Sequence, residues 1–297
     1  GEQRIDYTKQ LTPAEKADLL DNKGLNDSTI DNNATSKEIR YLVSAFNKTG
    51  NKNYLEAAEK GIRYLLIMQE SNGGWPQFYP DSSLYRSEIT YNDNAMINAM
   101  NVLWDVVHHA SDFDVVDPSL IEPSQKAIDA GVQCILKTQI KVYGKLTAWC
   151  AQYDKRTLQP AKARSYELVS ISGEESVGIV EFLMKIENPS PEIKRAITSA
   201  VEWFQSSRVD GYRVVTIADK SRPSGIDRVL KPDSNSVLWA RFYDIETNKP
   251  FFSGRDGIKK WSLAEIENER RTGYAWYGTW PENLIEKEYP EWKEKNP

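Results

Sequence analysis

Residues 149–176 hold the densest set of reactive side chains in the chain. Their sequence, WCAQYDKRTLQPAKARSYELVSISGEES, places aromatic rings, a cysteine, lysines, arginines and several carboxylates within 28 residues. A long polar segment inside a compact domain is usually a functional loop or a disordered one, and disordered segments contain few aromatic residues. We therefore expect one wall of a binding cleft here, with rings for stacking, cations for anionic ligands and carboxylates for a metal or a proton.

Asn92, Asp93 and Asn94 form a second candidate group, at the start of a helix predicted over residues 93–109. Asn and Asp often cap a helix by accepting hydrogen bonds from its free N–H groups, so a purely structural role is one interpretation. The other is a calcium site, because Ca²⁺ takes carboxylates and amide carbonyls as ligands. Asp154 is the candidate second carboxylate, although an Asp before a turn also forms Asx-turns. The residues alone leave both interpretations open.

Positive charge is concentrated in loops of the C-terminal half. Residues 219–236 are predicted to form a loop broken by Pro and Gly, and this loop carries Lys220, Arg222, Arg228 and Lys231. The GRDG and ERRTGY segments add further arginines, which are Arg255, Arg270 and Arg271. A charge run is usually a solvated face. Guanidinium groups also hold carboxylates bidentately, so basic loops on an acidic chain indicate an anionic substrate.

The overall charge argues against nucleic acid as a partner. The 297-residue chain has a net charge of −5 and an isoelectric point of about 5.4, so bulk attraction to a polyanion is not expected.

The balance of apolar and charged residues is that of a globular protein, and no apolar run of about 18 residues predicts a membrane span. The chain begins at Gly1 without an apolar leader, so we expect a secreted or periplasmic protein whose signal peptide has been removed.

The histidine and cysteine counts exclude further classes of site. His108 and His109 are the only histidines, and neighbours in a helix point about 100° apart, which makes a poor metal pair. A Ser–His or Cys–His triad and a His-rich zinc site are therefore not expected. Cys134 and Cys150 are too few for a disulfide framework, so they form either one bridge or two buried thiols.

Apolar residues spaced by three and four predict that most of the chain is helical. Thr12, Pro13 and Glu15 mark a helix start with an approximate capping box. Longer helices are predicted over residues 36–48, 53–70, 93–109, 123–140, 174–186, 191–208 and 258–271. A strand is predicted at residues 211–217, and residues 236–245 and 249–253 are predicted to pair as a hairpin. Helices of similar length linked up and down favour a bundle or an (α/α) toroid, and the absence of a clear short repeat or linker favours one main domain.

Several sequence blocks together resemble the pectate lyases of polysaccharide lyase family 10. They are TYNDNAM, TAWCAQYD, PAKARSYE, SGEESVGIVEFLM, IDRVL, RFYDIETNKPFFSGRDG and RRTGYAWYG, and they extend from about residue 36 to about residue 281. The resemblance implies a mainly α fold, an (α/α) toroid-like barrel with short β-strand elements, in a single catalytic domain over residues 1–297. Residues 1–35 would be an extension packed on a toroid core at 36–281, which carries the catalytic loops, and residues 282–297 a tail.

The same resemblance implies cleavage of polygalacturonate by β-elimination with the help of Ca²⁺, giving 4,5-unsaturated oligogalacturonides. Asp93 of the NDNA block and Asp154 of WCAQYD would bind Ca²⁺, and Arg228 of the IDRV block would be the Brønsted base. The expected partners are polygalacturonate and oligogalacturonides, for a monomeric enzyme without nucleic acid. The residues expected to bind substrate, from block position and charge, are Asn94, Lys162, Arg164, Lys231, Arg255 and Arg271.

Other functions remain compatible with the residues. A glycoside hydrolase on the same toroid needs paired carboxylates, which Glu167, Glu174 and Glu175 could supply. A non-catalytic uronic-acid-binding protein would keep the cleft and lack turnover. A terpene-cyclase-type toroid is a more distant alternative, because no Asp-rich diphosphate motif occurs. Ultraviolet absorbance of the products and sensitivity to EDTA separate elimination from hydrolysis.

Overall fold

The helices fall into three consecutive pairs, with shorter helices before and after them. The structure is a computed structural model that describes residues 9–21, 28–81 and 83–297. Within these ranges the α-helices are α1 (Pro13–Asp21), α2 (Ser36–Thr49), α3 (Lys52–Met68), α4 (Ala95–His108), α5 (Ile121–Thr138), α6 (Glu175–Met184), α7 (Pro191–Ser206), α8 (Asn268–Gly273) and α9 (Tyr289–Lys295). Left-handed Gly50 ends α2, and the Asn51 side chain caps α3, so adjacent helices turn sharply into one another.

Two layers of helices make up the (α/α) toroid that the sequence analysis expected. α2 packs on α3, α4 on α5 and α6 on α7, while α4 also contacts α2 and α6, and α5 contacts α3 and α7. α4 and α6 are the most buried of these helices, with Met100, Leu103, Ile179 and Leu183 fully shielded from solvent. The predicted fold class is therefore confirmed, with α4 and α6 in the inner layer.

Short antiparallel strand pairs tie together the loops between the helices. The pairs are β1 (Ile89–Thr90) with β4 (Gln152–Tyr153), β2 (Lys141–Val142) with β3 (Lys145–Leu146), β5 (Ile171–Ser172) with β8 (Phe242–Tyr243), and β9 (Phe252–Ser253) with β10 (Lys259–Lys260). One hairpin is much longer, and it consists of β6 (Val209–Ala218) and β7 (Ile226–Ala240). β11 (Tyr277–Gly278) pairs with the far end of β7.

A Trp-x-x-x-Tyr unit follows the second helix of each pair and repeats three times. Trp75, Trp149 and Trp239 are all buried, and each indole N–H donates at 2.8 Å to a carbonyl of the helix before it. The acceptors are Leu65 of α3, Ile135 of α5 and Phe204 of α7. The spacing was visible in the sequence, but no clear repeat was identified there. The indole bond of each unit holds its loop against the second helix of the preceding pair.

Three segments differ from their predicted structure. Residues 226–236, predicted as part of a loop, belong to β7. The predicted hairpin of residues 236–245 and 249–253 is much shorter than expected: Tyr243 is bridged to Pro250 and the Phe251 N–H donates to the Phe242 carbonyl, while β8 also pairs with β5 and β9 with β10. Pro232 suggested a loop, but at that position β7 is bonded only to β6, and proline is tolerated on the free edge of a strand. The helix predicted over residues 258–271 is reduced to α8. Lys259 lies in β10 instead, where its ammonium group pairs with Asp244.

The two ends of the chain differ in how they pack. The predicted capping box is confirmed, because Thr12 and Glu15 exchange hydrogen bonds, yet α1 buries no residue. Residues 1–8 and 22–27 of the predicted N-terminal extension lie outside the described residues. At the other end, Leu284 is buried and the Tyr289 hydroxyl bonds Thr198 of α7, so the tail packs on the toroid.

Both cysteines, Cys134 and Cys150, are buried free thiols, which decides between the two alternatives left by the sequence. Burial raises the pKa of the Cys134 thiol to about 11. No helix among the described residues is both long and apolar enough to cross a membrane.

The repeated indole bond predicts a difference between two tryptophan substitutions. Trp149→Phe removes a buried donor from the Ile135 carbonyl, so it should lower the free energy of unfolding by about 1–3 kcal/mol in urea denaturation. Trp261→Phe is the control, because Trp261 is 55% exposed and its loss should change stability by less than about 0.5 kcal/mol. Equal effects of the two substitutions would contradict the proposed role of the buried bond.

Candidate active site

Asp93 and Asn94 precede α4 in an uncommon backbone conformation. Their φ angles are 50° and 57°, in the left-handed region that non-glycine residues seldom occupy. Asp93 keeps a partly exposed carboxylate, whose Oδ2 accepts from Asn92 Nδ2 at 2.7 Å. The Asn94 side chain lies against α6 instead. Its Oδ1 is so close to Gly178 of α6 that a Cβ added to this glycine would lie 2.3 Å from it. Only Asp93 of this pair is therefore directed towards charged neighbours.

A buried arginine, Arg241, joins Asp93 to two carboxylates of the α6 start. Its guanidinium lies 3.2 Å from Asp93 Oδ1 and 2.7 Å from Glu174 Oε2, and it also bonds Glu175 Oε1. Arg241 stands between β7 and β8, where its N–H donates to the Trp276 carbonyl and its own carbonyl accepts from Gly173 N–H. We call Arg241, Asp93, Glu174 and Glu175 the Arg241 cluster.

The charges of the Arg241 cluster depend on one another because the cluster is mostly shielded from water. Burial alone would lower the pKa of Arg241, but Glu175, together with Tyr274, Glu174 and Asp93, raises it well above its ordinary value. Burial, reinforced by the Glu175 and Asp93 charges, raises the pKa of Glu174 to about 8, against the opposing effect of Arg241. Three carboxylates thus face one guanidinium, and the surplus is negative.

Tyr274 connects the Arg241 cluster to Arg228. The Arg241 guanidinium lies 4.7 Å from the centre of the Tyr274 ring, a cation–π distance. The carbonyl of Tyr274 accepts a hydrogen bond from Arg228 Nη1 at 2.9 Å. Asp93 and Arg228, which are far apart in the sequence, therefore converge on the same short stretch of structure.

The register of the β6–β7 hairpin separates Arg228 from Lys231. Arg228 lies opposite Thr216, and Lys231 opposite Arg213. Because successive residues of a strand point to opposite faces, these two cations lie on different faces of the hairpin. Lys231 is exposed and has no side-chain partner among the described residues. The two residues cannot both contact one sugar from the same side of the hairpin.

A row of arginines and rings extends from Tyr274. We call it the basic wall, and its members are Arg164, Tyr166, Arg270 and Arg255. The Tyr274 hydroxyl donates to Glu167, which also accepts two hydrogen bonds from the Arg164 guanidinium and one from the Arg164 backbone N–H. Burial tends to raise the pKa of Glu167, but the bonds from Arg164 lower it below its ordinary value. The Arg164 and Arg270 guanidinium groups lie 5.1 and 4.6 Å from the centre of the Tyr166 ring.

Arg255 belongs to the same wall through Glu269. This carboxylate accepts from Arg255 Nη2 at 3.0 Å and also bonds Arg270. Both side chains of the Arg255–Glu269 pair are more than half exposed. Arg164 and Arg255, both predicted to bind substrate, thus lie in one network with Asp93 and Arg228.

Asp154 lies in a tight turn that occurs twice among the described residues. Its Oδ1 accepts from the N–H of Arg156 and from the N–H and hydroxyl of Thr157, and these bonds hold its pKa below the ordinary value. Asp244 makes the same two bonds with Thr247. The Asx-turn interpretation of Asp154 is thus confirmed for Oδ1, while no partner of Oδ2 is found among the described residues.

The β1–β4 ladder fixes where Asp154 lies relative to Asp93. Ala151 accepts from the N–H groups at positions 91 and 92, and Ile89 is opposite Tyr153. Asp93 and Asp154 therefore lie towards opposite ends of the ladder, with about 10 Å of strand between them. Whether both carboxylates bind one ion stays a prediction.

Two further residues predicted to bind substrate differ in their exposure. Lys162, two residues before Arg164 in the sequence, is exposed and has no side-chain partner among residues 9–21, 28–81 and 83–297. Arg271 is 5% exposed, and it pairs with Asp227 at 2.6 Å. This buried pair argues against direct contact between Arg271 and substrate.

A groove of the described structure lies away from these residues. It has a volume of about 720 Å³ and runs between the β2–β3 hairpin and α7, where Lys145 and Arg195 are among its lining residues. None of the residues predicted to bind metal or substrate lines it. This groove is therefore separate from the candidate active site.

Sequence reasoning missed Arg241 and Tyr274. A signal for Arg241 was available in the Trp-x-x-x-Tyr repeat, whose third position holds Gln77, Ala151 and Arg241 in turn. A charged residue at a position where the other copies are uncharged indicates a role outside the repeat. Tyr274 offered no such signal, because its contacts depend on how α8 packs against the hairpin.

Comparison with known proteins gives one family. The sequence profile of the pectic acid lyase family matches residues 2–285. A solved structure of a family 10 polysaccharide lyase from Cellvibrio cellulosa is 39% identical, with a TM-score of 0.80, and the match covers 88% of this chain and 80% of that one. A mutant of a family 10 polysaccharide lyase from Cellvibrio cellulosa, in complex with trigalacturonic acid, matches with 38% identity and the same TM-score and coverage. No curated protein sequence matches the chain.

The buried charges predict a large stability loss when Arg241 is removed. Arg241→Met should lower the free energy of unfolding by about 3–5 kcal/mol, because Glu175, at 1% exposure, loses its counter-charge. Arg255→Met is the matched control, and loss of its exposed ion pair should cost less than about 1 kcal/mol. Urea denaturation of both variants at neutral pH measures the difference, and a loss for Arg241→Met as small as that of the control would refute the compensating role.

Proposed function

Because the chain belongs to the pectic acid lyase family and is a polysaccharide lyase, we propose that it cleaves polygalacturonate by Ca²⁺-dependent β-elimination and releases 4,5-unsaturated oligogalacturonides. The observation that carries the proposal is the convergence of Asp93 and Arg228 on Tyr274 and Arg241. A carboxylate that can hold a cation and a guanidine that can act as base are thus linked through two neighbouring residues. The trigalacturonic acid bound by the similar Cellvibrio protein supports a galacturonate substrate.

The proposed reaction removes the proton on C5 of a galacturonate unit. Arg228 in its neutral form takes this proton, and the electrons of the C5–H bond form the C4–C5 double bond. The C4–O bond breaks, and the departing glycosidic oxygen takes up a proton from solvent. The Tyr274 carbonyl holds Arg228 Nη1, so the guanidine reaches the substrate with its remaining nitrogen atoms. Such positioning of a base within reach of the proton is the main requirement for general base catalysis.

The donor chemistry around Asp93 fits a calcium ion. Asp93 has a carboxylate that is 36% exposed. Glu174 Oε2 is buried and lies near Arg241 in a direction that gives no hydrogen bond. The described residues contain no group of three or more His, Cys, Asp or Glu that could hold a metal, so the carboxylates would be joined by amide, backbone carbonyl or water oxygens. We propose Asp93 and Asp154 as ligands, and the ion would supply positive charge that stabilises the negative charge developing on the substrate.

The basic wall would bind the other carboxylates of the polymer. Arg164 and Arg255 belong to it, and Lys162, two residues before Arg164 in the sequence, is exposed. Guanidinium groups favour carboxylates because they donate two parallel hydrogen bonds.

The glycoside hydrolase alternative is less well supported, since Glu167 and Glu175 are already bound to Arg164 and Arg241. Secretion stays a prediction.

Ultraviolet absorbance tests the proposed reaction. Wild-type protein with polygalacturonate and Ca²⁺ should produce a rising absorbance from the conjugated double bond, and EDTA should abolish the rise. Arg228→Lys should lower kcat by about 10²–10⁴-fold, the range of general base catalysis.

The pH dependence tests the identity of the base. Because Arg228 must be neutral to take the proton on C5, the rate should rise with pH above pH 7 with Ca²⁺ saturating. Reducing ends released without ultraviolet absorbance would show hydrolysis, and tight binding of oligogalacturonides without turnover would show a binding protein. A rate that stays flat above pH 7 would remove Arg228 from the role of base.

The two copies of the Asp turn allow a matched test of calcium binding. Asp154→Asn keeps an oxygen for the turn and removes a charge, so the Ca²⁺ concentration for half-maximal rate should rise by about tenfold or more. Asp244→Asn changes the equivalent turn and should leave the calcium dependence as it is. If both variants show the wild-type calcium dependence, Asp154 is not a ligand.

A further inference from the structure

The tip of the β6–β7 hairpin is bound to α8 by a set of polar contacts. Asn268, the first residue of α8, accepts from the Ser224 hydroxyl at 2.7 Å and donates to the Ile226 carbonyl at 3.0 Å. It also donates to Asp227 Oδ1 at 3.3 Å. Without such contacts a two-stranded hairpin is only marginally stable in water. The packing of α8 therefore fixes the part of the hairpin that carries Arg228.

Arg271 of α8 makes the strongest of these contacts. Its Nε lies 2.6 Å from Asp227 Oδ1 and its Nη2 lies 2.8 Å from Asp227 Oδ2, which is a bidentate pair. Both residues are about 5% exposed or less. The third nitrogen, Nη1, donates to the Ile266 carbonyl. The whole guanidinium group is thus used inside the protein, and none of it faces the candidate active site.

Because β7 is pleated, the Asp227–Arg271 pair also restricts the position of Arg228, the residue after Asp227. Asp227 and Arg228 are consecutive, so their side chains point to opposite faces of the strand. Asp227 Oδ1 also accepts from the N–H of Arg228 at 2.8 Å, which fixes the peptide between them. On the other face, Arg228 reaches the Tyr274 carbonyl, which follows α8 directly. α8 and the residue after it therefore hold both faces of the strand at once.

We propose that Arg271 and Asp227 are positioning residues for Arg228, and that Arg271 does not bind substrate. The inference rests on the proposed function, in which Arg228 is the base. A base must lie within hydrogen-bond reach of the proton that it removes, and a misplacement of 1 Å can cost about a hundredfold in rate. The buried pair keeps the strand from rotating or sliding by that amount.

Arg271→Lys is the first test, because lysine keeps the charge and cannot form the bidentate pair. It should lower kcat on polygalacturonate by about tenfold to a hundredfold and leave KM nearly unchanged, since the interaction matters only in the transition state. A substrate-binding Arg271 would instead raise KM at constant kcat, and that outcome would overturn the proposal. Arg40→Lys is the matched control, because Arg40 bonds Asp105 between α2 and α4 and its variant should keep wild-type kcat.

A double-mutant cycle separates positioning from general destabilisation. If Arg271 acts through Arg228, Arg271→Lys in the Arg228→Lys background should lower kcat by less than about twofold further. The same full loss in both backgrounds, or a loss matched by Arg40→Lys, would show that the effect is merely structural. Asp227→Asn should reproduce the kcat loss of Arg271→Lys, and the two losses should not add.

The position of Arg228 can also be measured without activity. The side-chain N–H signals of Arg228, identified in ¹⁵N NMR spectra by their absence in Arg228→Lys, should broaden and exchange faster with water in Arg271→Lys than in wild type. Unchanged Arg228 signals would overturn the positioning role even if the protein proved to have another activity. Wild-type protein that releases no unsaturated product would instead refute the proposed function while this measurement stands.

Discussion

The buried guanidinium of Arg241 is the interaction on which the site depends. It is 4% exposed and neutralises carboxylates from the start of α4 and the start of α6, while its own backbone is bonded to Gly173 and Trp276. A buried charge is tolerated only when it is paired and hydrogen-bonded, so these segments can approach one another only with Arg241 between them. The left-handed backbone of Asp93 is kept in place by the same contact, since such a conformation persists where its surroundings over-determine it.

The Trp-x-x-x-Tyr repeat explains why a charged residue can occupy position 241 without loss of the fold. Each Trp-x-x-x-Tyr unit is bonded to its helix by a buried indole, and the strands that follow the first two units, β1 and β5, pair with strands of the next unit, β4 and β8. Because these bonds involve backbone and buried rings, the residue between Trp and Tyr is free to vary. Ala151 fills that position in one copy and Arg241 in another, and only Arg241 brings charge into the loop junction.

The sequence predicted the helical part of the fold well and the strands poorly. Stripes such as Leu65 and Ile62 in α3 report burial at helical spacing, whereas β7 contains Pro232 and many polar residues because one of its edges is free. For the site, the sequence resemblance selected Asp93 and Arg228, which the fold brings together. It could not reveal that Arg271 is buried against Asp227, since charge pairing across 44 residues depends on how α8 packs.

The burial of the carboxylates in the basic wall decides which arginines can leave their protein partner and bind a carboxylate of the substrate. Glu269 is about half exposed, and exposed ion pairs contribute little stability, so Arg255 can release it at a cost of less than about 1 kcal/mol. Glu167 is 5% exposed and also accepts from Tyr274, so separation from Arg164 would leave a buried charge without a partner. Arg164 therefore keeps Glu167 and offers substrate only its remaining N–H groups, while Arg255 can turn its whole guanidinium to a uronate. The wall thus combines a fixed end beside Tyr274 with an adaptable end at Arg255.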